Sequence, residues 1–135
     1  MHLRGVFRGL LAVAFVAAGL NHFRRPDFYL AMIPPRLPSP AALNFISGAA
    51  EILGGIGVLV PATRRLAGWG LIALLVAVFP ANVHMALAGL RPPGVEIATW
   101  VLWARLPLQA VFIAWVWWTT LARSVGAEPA RTLRR

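Results

Sequence analysis

Four apolar runs of membrane-spanning length dominate this chain, and few folds can accommodate them. They extend roughly over Gly5–Phe23, Ala41–Val60, Leu66–Ala88 and Ile97–Ala122. A helix needs about 20 apolar residues to cross the hydrocarbon core of a bilayer. All four runs reach that length. None shows the period-2 alternation of a membrane barrel, so helices are the only spanning structure available. The expected fold is all-α: a polytopic membrane protein with a four-transmembrane-helix bundle in one domain over residues 1–123. Residues 124–135 form a polar tail, expected to be mobile.

Composition supports the membrane reading. Only 13% of the 135 residues are charged, 59% are hydrophobic, and the mean hydropathy is +0.72. A soluble domain carries about 25% charged residues. The net charge of +9 would suggest nucleic acid in a soluble protein. Here the basic residues flank apolar runs, where the topology rule explains them, and a nucleic-acid partner is not expected. Cysteine is absent, which excludes thiol–disulfide exchange and thiolate metal sites within the chain.

Helix punctuation marks the boundaries. Ser39-Pro40 reads as an N-cap followed by a first-turn proline. Pro61-Ala-Thr-Arg-Arg ends the second run in a tight turn, and Arg91-Pro-Pro-Gly separates the third from the fourth. The one long connection, 23–40, mixes aromatics and prolines. It is expected to be interfacial or re-entrant, lying between helices 1 and 2, with a short helix around Phe28–Ile33. With the N-terminus inside, eight arginines lie on the inner side and four on the outer, with Arg105 embedded. That bias places both termini in the cytoplasm and the protein in the cell inner (plasma) membrane. The N-terminal run, with Ala17-Ala18 near its end, also fits a cleaved signal peptide. Asn21-His22 after it fits a retained helix.

Charges inside the runs point to a site. Glu51 lies in NFISGAAEILGGIGVLV and Arg105 in WVLWARLPLQAVFIAWVWW. A charge at bilayer depth costs about 2.5–3.5 kcal/mol on insertion scales, so it usually faces the protein interior and finds a partner. With one embedded acid and one embedded base, an ion pair between Glu51 and Arg105 is expected. By rise per residue, both sit about 12–15 Å below the outer ends of their helices. Asn82 and His84 lie near the outer end of the third run, and Asn21 and His22 near that of the first. Asn44, Ser47, Gly48, Glu51, Gly54 and Gly55 form one small, polar helical stripe. Arg105, Gln109 and Phe112 share a face. Pro80 and Pro107 each free a backbone carbonyl for neighbouring donors. These features predict an outer-half polar pocket with Glu51, Arg105, Asn82, His22, Asn21, Gln109, His84 and Ser47 as lining candidates.

Plainer readings stand beside it. Glu51–Arg105 fits a register-fixing strut, Arg105 alone fits outward snorkelling, and the histidines fit interfacial positions. Asn82 and His84, two apart, do not share a helical face, and no metal is expected. Four of the six tryptophans, at 100, 103, 117 and 118, mark an aromatic belt.

The segments AGLNHFRRPDFYLAMIPP, SGAAEILGGIGVLVPATRRLAGWGLIALLVAVFPANVHMA and RLPLQAVFIAWVWW resemble the DoxX family of four-helix membrane proteins. The resemblance spans roughly residues 18–118. It implies a compact bundle with Glu51, Asn82 and Arg105 in a polar interior. It also implies a link to quinone-coupled redox chemistry or, through distant relatives, to chaperone-like assembly. Some relatives carry cysteines; this chain does not. The expected role is a membrane subunit that binds a quinone, a lipid or another small amphipathic molecule for a soluble or membrane redox partner. The alternative is a non-catalytic interaction protein, in either case with homo-oligomers open. No covalent cofactor is expected.

Overall fold

The computed structural model describes residues 2–122, and the expected C-terminal tail lies outside them. Among the described residues every regular element is a helix: α1 (His2–Arg24), α2 (Pro26–Leu30), α3 (Pro40–Gly57), α4 (Arg64–Ala88) and α5 (Thr99–Thr120). Helices α1, α4 and α5 are each long and apolar enough to cross a membrane. The 18-residue α3 is shorter and carries Asn44, Glu51 and four glycines.

The long helices pack in a closed ring: α1 on α3, α3 on α4, α4 on α5, and α5 back on α1. Neighbours run antiparallel. Gly48 meets His22 while Gly55 meets Ala12 and Val16, and Gly54 meets Leu71 while Gly57 meets Ala67. A Cβ on Gly48 would stand 2.7 Å from His22 Cβ and 3.0 Å from the Gly19 carbonyl oxygen. The small-residue stripe of α3 thus lets two backbones approach closely, the usual means of packing where water supplies no driving force.

Two apolar clusters hold the ends of the ring. One joins Leu11, Ala12, Phe15, Val58, Leu71 and Val116. The other joins Met32, Met85, Ala86 and Leu102, with Phe28, Tyr29 and Leu106 against them. At the first end, Arg8 donates to the Thr119 carbonyl at 2.8 and 3.1 Å, Arg4 to Ala122 at 3.1 Å, and Arg64 to Val58 at 3.2 Å. These carbonyls lie at the C-terminal ends of α5 and α3, which intrahelical bonds leave open and where cations are favoured.

Three local expectations change. The short helix begins at Pro26 rather than near Phe28, because proline fits a first helical turn. Ser39 is not a side-chain cap: its φ of 49° puts it in the left-handed region, and no side-chain hydrogen bond forms. Pro40 still opens the helix. Near Pro80, Gln109 donates to the Leu75 carbonyl rather than to Val76, the acceptor that the proline strands.

Candidate functional site

The antiparallel ring brings the end of α1, the start of α3, the last third of α4 and the start of α5 to one end. The α2 segment folds over that end. Between the two apolar clusters lies a cavity of about 220 Å³. Its polar lining is His22, Tyr29, Asn44, Ser47, Glu51, Asn82 and Arg105, and its apolar lining includes Met32, Ile33, Leu75, Val78 and Ala81.

The α1–α3 wall is the most ordered part. Asn44 Nδ2 donates to the His22 carbonyl at 3.1 Å, and Asn44 Oδ1 lies 2.7 Å from His22 Nδ1. The reversed amide would set two carbonyl oxygens against each other, so Nδ1 carries hydrogen and donates. His22 Nε2 then points to Glu51 Oε2, 3.6 Å away. That separation is an ion-pair distance but longer than a hydrogen bond, and Oε2 is buried without another partner. The Tyr29 ring stacks on the imidazole, centroids 3.5 Å apart and planes at 21°. Asn21 Nδ2 holds the Tyr29 hydroxyl at 3.0 Å. A histidine held from both ring edges and one face has little freedom to turn.

Across the cavity, Arg105 is differently placed. The expected Glu51–Arg105 ion pair does not form: the acid meets His22 instead. The reason is the glycine-lined approach of α1 to α3, which brings imidazole to carboxylate. Among the described residues Arg105 Nη1 finds two thioether sulfurs as acceptors, Met85 at 3.4 Å and Met32 at 3.7 Å. Sulfur is a weak acceptor. Glu51 and Arg105 nonetheless line one cavity.

The remaining candidates divide. Ser47 and Asn82 reach the cavity lining, and Asn82 Nδ2 donates to Gln109 Oε1 at 3.0 Å. Gln109 and Asn21 stand one hydrogen bond back from the cavity. His84 is half-buried and not part of the lining. Among the described residues no three of His, Cys, Asp and Glu cluster to hold a metal. Sequence reasoning placed Asn44 on the Glu51 stripe without making it a site candidate. Its seven-residue spacing from Glu51, two helical turns on one face, is the signal that could have found it. Tyr29 in the one-turn α2 and Met32 in the turn after it belong to a stretch too short to offer such a signal.

Residues 11–120 match the model of a family described as a domain of unknown function (DUF8561). The chain belongs to this family. The match takes in α1 from Leu11 through the end of α5, and so every residue of the cavity. No curated protein matches the chain, nor does any solved structure.

Proposed function

We propose that the chain is a DoxX-like, four-span protein of the cell inner membrane, with both termini cytoplasmic and the cavity in its outer half. In this reading the cavity binds a quinone or another small amphipathic molecule, and the chain acts as the membrane subunit of a redox system. The observation that carries it is Arg105, a half-buried guanidinium on a cavity wall whose hydrogen-bond partners are two thioethers. A guanidinium has five N–H donors and is costly to bury without acceptors. An oxygen-bearing head group would supply them. Asn82 offers a second polar contact, and the His22–Glu51 pair stands ready to give or take a proton. Leu75, Val78 and Ile33 suit an apolar body. The ring of antiparallel helices supports four spans, and the arginines at the α1 N-terminal end support the orientation.

The test is extraction. Protein purified in mild detergent from its own membranes is expected to release a stoichiometric amphipathic molecule into organic solvent. Asn82→Ala and Arg105→Gln are expected to release less while remaining folded. Val76→Leu, at an exposed apolar position, should match wild type. Wild-type protein with nothing bound would remove the reading.

A second reading is an interaction or assembly protein. A surface groove of about 390 Å³ between α3 and α4, whose lining includes Ala50, Gly54, Gly57, Ala67 and Gly70 among larger apolar side chains, favours it. Small residues of this kind let another membrane helix approach. Cross-linking from Gly70→Cys in membranes tests it: a specific adduct with a second helix supports the reading, and none removes it.

A further inference from the structure

The charge balance of the cavity selects among amphipathic occupants. Its titratable lining residues are His22 on α1, Tyr29 on α2, Glu51 on α3 and Arg105 on α5. Tyr29 is a neutral phenol that accepts from Asn21. Asn44 fixes hydrogen on His22 Nδ1, so a neutral imidazole would turn its Nε2 lone pair toward Glu51 Oε2. Two lone pairs facing each other in a buried site repel. One proton between Nε2 and Oε2 removes the conflict, whichever atom holds it, and leaves the pair with no net charge. Among the described residues the positive charge of Arg105 is then uncompensated, and its acceptors are thioethers.

We infer that the cavity takes a monoanionic, carboxylate-headed amphiphile, its head group on Arg105 and its chain along Leu75. The inference rests on the reading of the cavity as a ligand site and narrows its occupant. A carboxylate matches the planar fork of a guanidinium with two parallel hydrogen bonds, which a neutral carbonyl does not. Space for the chain lies beyond the head. A second cavity of about 200 Å³, lined by Ala14, Phe15, Ala18 and Phe112, shares Glu51 and Leu75 with the first. It is apolar apart from Glu51, so an alkyl chain suits it and a second charged group does not.

The experiment measures binding of radiolabelled dodecanoate and dodecanol to the detergent-purified full chain at about pH 6.5, above the ordinary carboxylate range. A short-chain neutral quinone serves as the third ligand, and acetate as a competitor with the head group but no chain. Wild type and Arg105→Gln see the same micelles, so partitioning cancels between them. The expected result is a wild-type preference for dodecanoate over dodecanol of about tenfold or more, lost in Arg105→Gln. Arg105→Lys is expected to keep part of that preference. Acetate is not expected to displace dodecanoate at equal concentration, and equal displacement would overturn the amphiphile. Equal wild-type binding of acid and alcohol, or tight binding of the quinone alone, overturns the anionic head while leaving the cavity a ligand site. Binding of none of the three removes both readings. Should Arg105→Gln fail to fold, the wild-type ratio of acid to alcohol decides alone.

Discussion

Replacing Gly48 with alanine tests the contact that assembles the site. A Cβ there would lie 2.7 Å from His22 Cβ, 3.0 Å from the Gly19 carbonyl oxygen and 3.0 Å from the Phe23 ring. Carbon atoms rest at about 3.5–4.0 Å, so α1 must retreat from α3 by close to 1 Å. Neither obstacle near His22 is the tip of a flexible side chain; one is a backbone oxygen and the other a Cβ. Overpacking of this kind costs about 1–3 kcal/mol. Alanine returns at most about 1 kcal/mol through helix propensity. The retreat also lengthens the 2.7 Å His22–Asn44 contact, so the site should loosen with the packing. Gly9 and Gly70 supply the control, because a Cβ at either meets nothing within 4 Å. Thermal unfolding in detergent, followed by tryptophan fluorescence, is expected to show Gly48→Ala melting below wild type. Gly9→Ala and Gly70→Ala should melt at or above it. If all three behave alike, the close approach of α1 to α3 is wrong.

Three further outcomes are expected. His22→Ala leaves Glu51 without its polar neighbour and should cost about 3–5 kcal/mol, whereas His22→Ala with Glu51→Ala should cost less than the two single changes together; strict additivity in denaturant unfolding would show that they do not interact. Arg8→Met removes two charge-assisted bonds to the Thr119 carbonyl and should cost about 1.5–3 kcal/mol by the same measurement, and no change would mean that this end of α5 is not held by arginine. A reporter fused after Arg135 should read as cytoplasmic, and a periplasmic signal would contradict an even number of spans with the N-terminus inside.

The helix ends were legible because punctuation is local. Pro40, the Pro61 turn and Arg91-Pro-Pro-Gly each act on their own neighbourhood, and the observed helix ends fall within a few residues of them. Partner choice was not. Sequence places Glu51 and Arg105 at similar depth but does not say which helix faces the Glu51 side of α3. That was decided by Gly19, Gly48 and Gly55, whose missing side chains bring α1, and with it His22, against the acid. Gly48 and Gly55 were visible as a stripe, but a stripe names a packing face and not the helix that fills it. Tyr29 and Met32 escaped for another reason. They belong to a segment with no apolar period, and only the folding of α2 over the ring places one on His22 and the other at Arg105.

The antiparallel ring also sets an order of construction. The His22, Asn44 and Glu51 contacts lie wholly within α1 and α3, so the first 57 residues contain every group they need. An emerging chain can therefore present its buried acid already accompanied, as one helical pair. Arg105 arrives last, on α5, and finds the acid's place taken. The cavity is complete only when α5 brings Arg105 to its wall and, by meeting α1, closes the ring.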